Sequence, residues 1–138
     1  MLKVEHLDVF YGAIHAVKDV SLEVGDGQIV TLIGSNGAGK STTLHTISGL
    51  IKPKNGSIEY DGHEIVGVPA HKLVGQGLVQ VPEGRHVFSN MTVMENLDMG
   101  AYLRSDKDGI AQDKEKVFAK FPRLKERVGQ MAGTLSGG

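Results

Sequence analysis

Hydrophobic and polar positions alternate over the first two dozen residues. Leu2-Lys3-Val4-Glu5-His6-Leu7-Asp8-Val9-Phe10 is apolar at 2, 4, 7, 9 and 10, which predicts a strand whose alternation slips near His6. Tyr11-Gly12 closes it. Residues 15–24 place Val17, Val20, Leu22 and Val24 in mostly alternating order, and Gly25-Asp26-Gly27 supplies a turn. An antiparallel element therefore opens the chain. Residues 28–33 (QIVTLI) are β-branched or apolar at nearly every position, the pattern of a parallel strand buried on both faces, and a helix is expected over 40–50. A loop at 52–56, a short strand at 57–60 and an Asp61-Gly62 turn follow. Pro69 fits the first position of a short helix through Val74, and residues 78–81 (LVQV) read as another buried strand.

From Pro82 the texture changes, as helical spacing broken by Gly84, Gly109, Pro122 and Gly129 replaces the β-branched runs. Thr92-Val93-Met94-Glu95 is a capping box, so a helix should run to about Leu103. A second helix is expected over 110–121, with Ile110, Val117, Phe118 and Phe121 on one face and both phenylalanines as core anchors. The division this implies is 1–82 for an α/β core and 83–138 for a helical subdomain.

Composition narrows the class. With 40% hydrophobic and 22% charged residues, the chain is of ordinary globular make-up. It has no cysteine, so neither disulfides nor thiolate metal sites hold the fold. The start lacks a secretion-signal apolar region and no window nears the ~18 apolar residues of a membrane span, so a cytoplasmic protein is expected. Net charge is −1, but residues 1–103 hold seven Lys and Arg against eleven Asp and Glu, whereas 104–127 hold eight against five. The basic stretch reads as a solvated helix surface, since stacking aromatics are few beside it, and no nucleic-acid partner is expected. None of the six histidines pairs with another at metal-ligand spacing.

The chemistry lies between the 28–33 run and the helix after it. Gly34-Ser35-Asn36-Gly37-Ala38-Gly39-Lys40-Ser41-Thr42 is a G-x-x-x-x-G-K-[ST] phosphate loop, the Walker A pattern. Its glycines let successive N–H groups approach an oxyanion while the helix N-terminus adds partial positive charge. Lys40 then reaches the β- and γ-phosphates as the catalytic cation, and the Ser41 hydroxyl can ligate Mg²⁺. The loop residues 34–42 are thus the expected contacts for ATP.

Two further stretches carry a resemblance to a known family. Tyr11 precedes the phosphate loop, and Leu135-Ser136-Gly137-Gly138 matches the start of the LSGGQ signature, so the chain resembles the ATP-binding subunit of an ABC transporter. The fold this implies is an α/β P-loop NTPase of the ABC ATPase type, with an antiparallel N-terminal β element and a partial helical subdomain. The resemblance implies that Tyr11 stacks on adenine with Val17 packing beside it. It also implies that Ser136, Gly137 and Gly138 bind the γ-phosphate of a nucleotide held by a second ATPase subunit in a head-to-tail dimer.

Val81-Pro82-Glu83-Gly84-Arg85 occupies the place of the family's Q-loop, where glutamine ordinarily touches the Mg²⁺ or the attacking water and relays to the membrane subunit. This chain has Glu83 there, a second candidate metal contact. With Phe121-Pro122-Arg123-Leu124, the stretch is similar to the shorter ATPase of branched-chain amino-acid importers. The expected function is therefore an ABC-type ATPase coupling ATP hydrolysis to uptake of branched-chain amino acids. Transmembrane permease subunits are its expected partners, holding it peripherally on the inner face of the cell membrane. The alternatives are a soluble ABC ATPase without a membrane partner, a small-molecule kinase, or an inert nucleotide-binding fragment. The sequence given stops at Gly138, before any apolar run ending in Asp-Glu, so the resemblance implies a truncated, N-terminal part of a longer subunit. On that expectation, residues 1–138 alone lack the catalytic centre.

Overall fold

The computed structural model describes residues 1–84 and 86–136, which fall into two compact units, Met1–Val81 and Pro82–Gly138. The first unit is built on a sheet of four antiparallel strands: β1 (Leu2–Tyr11), β2 (Ile14–Val24), β3 (Asn55–Tyr60) and β4 (His63–Glu64), in the order β2-β1-β3-β4. The slip at His6 is a β-bulge. Between Val4 and Leu7 the register advances three residues on β1 against two on β2, from Leu22 to Val20, and β3 sees the same extra residue between Glu5 and Asp8. His6 takes a positive φ of 51° there, its N–H donating to Ser21 Oγ (2.9 Å) and its ring meeting Asp19 Oδ1 (2.7 Å). The extra residue lets Val4, Leu7 and Val9 all face inward, where they pack with Val17, Ile47, Ile58, Ile65 and Leu73. Burying each such side chain is worth about 1.5–3 kcal/mol.

Helix α1 (Lys40–Ile47) turns Thr43, Thr46 and Ile47 inward. It ends where Gly49, at φ 75°, lets the Gly49 and Leu50 N–H groups donate back to the Thr46 (3.1 Å) and His45 (2.9 Å) carbonyls. Helix α2 (Ala70–Gly75) starts one residue later than expected, with Pro69 as its cap.

The expected strands at 28–33 and 78–81 do not form. Both runs are irregular, and Ile29 and Ile33 stand 96% and 93% exposed. A parallel strand draws its hydrogen bonds from neighbours, and no strand among the described residues pairs with either run. Apolar composition alone does not hold a strand in place.

The second unit comprises α3 (Val93–Gly100), α4 (Lys107–Lys120), α5 (Pro122–Glu126) and a 3₁₀ turn at Ala132–Thr134. The capping box forms as expected: Glu95 N–H donates to Thr92 Oγ1 (3.2 Å) and Thr92 N–H to Glu95 Oε2 (2.7 Å). Helix α3 stops at Gly100, short of Leu103, and continues as turns closed by Ala101, Tyr102 and Arg104 N–H donors. Phe118 is buried, but Phe121 is 58% exposed at the α4–α5 junction and is not a core anchor. Among the described residues no helix is long and apolar enough to cross a membrane.

Candidate functional site

The phosphate-loop residues lie between the irregular 28–33 run and α1. Gly39 caps α1 in a left-handed conformation (φ 89°, ψ 7°), where a side chain would be strained and a Cβ would meet the Ala16 carbonyl at 2.7 Å. Only glycine allows this loop to lie so close to β2. Behind it, Thr43 N–H and Oγ1 both donate to the Gly39 carbonyl, each at 2.8 Å. Thr43 was not among the residues the motif picks out. Its signal is a hydroxyl on the buried face of a helix, where it bonds the carbonyl four residues back.

Lys40 Nζ donates to the Gly34 and Ser35 carbonyls, both at 2.7 Å, so the ammonium is folded over the loop. Ala38 N–H closes a turn onto the Ser35 carbonyl at 3.1 Å. The N–H groups of Lys40, Ser41 and Thr42 occupy the first helical turn, where no intrahelical carbonyl reaches them, and no side chain caps α1. Donors, a helix N-terminus and a cation thus share one loop. That combination suits an anionic phosphate group. Asn36 and Ser41 are exposed, and Gly37 takes a φ of 83°.

Tyr11, at the end of β1 and 48% exposed, brings its hydroxyl within 3.4 Å of Thr42 Oγ1, so the ring lies beside the start of α1. Val17 takes a different place from the one expected. It is only 2% exposed, with Cγ2 3.2 Å from where a Gly39 Cβ would stand. It supports the loop from beneath and offers no face to a base.

The first unit therefore gathers Tyr11, Val17 and residues 34–42. Glu83 and Ser136 belong to the second unit; each is exposed and outside regular structure. Ser136 follows the Ala132–Thr134 turn, whereas the Gly137 and Gly138 expectations lie outside the described residues. Among the described residues, no group of three or more His, Cys, Asp or Glu could hold a metal ion. A divalent ion here would rest on the Ser41 hydroxyl together with phosphate oxygens.

A family model described as ABC transporter matches residues 17–138. The high-affinity branched-chain amino acid transport ATP-binding protein BraG of Pseudomonas aeruginosa is 51% identical over 138 residues, covering all of this chain and 59% of that protein. A probable branched-chain amino acid transport ATP-binding protein, LivF of Archaeoglobus fulgidus, is 36% identical over the whole chain and 58% of its own length. Among solved structures, an ATP-binding subunit of an ABC transporter superposes with a TM-score of 0.83 at 28% identity, covering 98% of this chain and 55% of that one. The chain thus spans somewhat under two thirds of the length of these relatives. The phosphate loop and the Leu135-Ser136 stretch both fall inside the matched span, and the chain belongs to the ABC transporter family of ATP-binding proteins.

Proposed function

We propose that residues 1–138 are the nucleotide-binding portion of an ATPase that powers uptake of branched-chain amino acids. In this reading, residues 1–82 hold ATP and residues 83–138 form the helical subdomain that couples the nucleotide to partners. The observation that carries it is the Lys40 ammonium folded over Gly34 and Ser35 at an uncapped helix N-terminus. The BraG likeness, 51% over the whole chain, supports the branched-chain assignment.

Each residue has a role that follows from its place. Lys40 and the N–H groups of residues 34–42 hold and neutralise the phosphates, and positioning with electrostatics does most of the catalytic work in phosphoryl transfer. Mg²⁺, when bound, would neutralise charge on the phosphate oxygens, with Ser41 as its protein contact at the loop. Tyr11 offers its ring face to the purine. Ser136, with Gly137 and Gly138, contacts the nucleotide of a second ATPase subunit in a head-to-tail pair. Glu83 lies on the segment that meets the permease subunits, which would hold the protein peripherally at the inner membrane face.

The test is Lys40→Ala in the natural protein. Turnover of Mg-ATP should fall roughly 10²–10³-fold, the cost of removing one charge-stabilising donor. Uptake of labelled leucine by cells carrying only this variant should fall with it. Undiminished turnover would overturn the role of Lys40, and normal leucine uptake beside lost turnover would overturn the transport assignment.

A further inference from the structure

In the second unit, the loop ahead of α3 and the segment leading to Ser136 are joined backbone to backbone. Ala132 N–H donates to the Met91 carbonyl (2.9 Å) and Gly133 N–H to the Ser89 carbonyl (3.1 Å). In the other direction, the Val93 and Met94 N–H groups, two of the first-turn donors of α3, donate to the Gln130 and Val128 carbonyls, each at 3.0 Å. Thr92 and Met131 form an antiparallel bridge between the same stretches. A Cβ on Gly133 would stand 2.7 Å from Ser89 Cβ and 2.9 Å from its carbonyl oxygen, so this approach is one that only glycine permits.

One side chain shapes the loop that receives these bonds. Asn96 accepts from the Phe88 N–H at Oδ1 (2.8 Å), and its Nδ2 donates to the carbonyls of Phe88 (3.1 Å) and Thr92 (2.9 Å), with Met91 O at 3.4 Å. A carboxamide offers an acceptor and two donors on one planar group, and all are used here. The clamp spans residues 88 to 92, so the Ser89 and Met91 carbonyls that hold Gly133 and Ala132 lie between its fixed points. Alanine would release both ends. Aspartate would keep the acceptor but turn a negative oxygen towards three carbonyls.

We propose that Asn96 is a positioning residue for Ser136. By fixing the 88–92 loop it sets where the Ala132–Thr134 turn leaves the chain, and so how far the Ser136 hydroxyl reaches towards a phosphate held by a second subunit. The inference rests on the reading of Ser136 given above.

The experiment compares Asn96→Ala, Asn96→Asp and Ser136→Ala in the natural, assembled ATPase. Equilibrium binding of Mg-ATP at the phosphate loop should stay within about twofold, because that site lies on other residues, while kcat in Asn96→Ala falls about tenfold or more, as a misplacement near 1 Å can cost. Amide exchange at Ala132 and Gly133 should quicken in the same variant. Asn96→Asp should recover part of its kcat relative to wild type as pH is lowered towards the carboxylate range, where the protonated acid again supplies a donor. Unchanged exchange at Ala132 and Gly133, or equal losses of ATP binding and kcat, would overturn the positioning role. Normal turnover in Asn96→Ala beside impaired Ser136→Ala would overturn it while leaving the reading of Ser136 intact. Normal turnover in Ser136→Ala would overturn that reading itself.

Discussion

Tyr11 and Val17 show how far single residues can be read from sequence. The family resemblance implies that Tyr11, which ends a strand ahead of the phosphate loop, is a base platform, and in the structure its hydroxyl lies 3.4 Å from Thr42 at the start of α1. Val17 was not legible. Its burial depends on which face of β2 it occupies, and β2 carries register shifts between Val20 and Val17 and between Val17 and His15 that no periodicity rule supplies. If Tyr11 stacks on adenine, the contact is worth ~1–3 kcal/mol, so Tyr11→Ala should weaken Mg-ATP binding by about tenfold. Tyr11→Phe keeps the ring and should bind within about twofold of wild type, as ring-face stacking requires no hydroxyl. Calorimetric titration of both variants checks this, and an unchanged affinity in Tyr11→Ala would return the residue to a strand-end role.

Among the elements, those with local signals were read and those dependent on partners were not. The capping box at Thr92 and Glu95 places the start of α3 because its two hydrogen bonds join residues three apart. The 28–33 run carries an equally strong pattern, yet a strand needs neighbours that its own sequence does not contain. The start of α4 shows a third case, where ion pairs set the boundary. Arg104 grips Asp106 with two nitrogens and Asp113 with a third (2.6 Å), and Lys116 donates to Asp113 from the other side (2.8 Å). The Lys116 ammonium and then the Arg104 guanidinium hold the Asp113 carboxyl down at about 2, below its ordinary 3.8. A carboxyl whose folded value lies below its unfolded one stabilises above the unfolded value, and that contribution is lost as pH falls through the folded value. Acidifying from 3.8 towards about 2 should therefore loosen the start of α4. Circular dichroism melts should show an acid-dependent fall in helix stability that is smaller in Asp113→Asn. Because these groups are exposed, added salt should shrink the effect.

Over the whole molecule, both units leave part of their apolar sequence without a place. In the first, Val4, Leu7 and Val9 are fully inside while Ile29, Ile33, Val79 and Val81 are exposed beside backbone groups that no strand among the described residues pairs. Such runs are templates for pairing with other chains. A polypeptide of residues 1–138 should therefore self-associate: sedimentation velocity should show mass rising with concentration, and Ile29→Lys with Ile33→Lys should suppress the rise. A monomer independent of concentration would show that the exposed runs do not recruit partners. The bulge at His6 has a different reach, into what the gene can tolerate. Because β1 pairs on both edges and carries the same extra residue towards β2 and β3, an in-frame loss of one codon at Glu5 or His6 restores plain alternation and keeps Val4 and Leu7 on one face. The same loss at Asp8 sets Leu7 and Val9 on opposite faces, so this chain should tolerate the loss of one residue at the first place and not at the second.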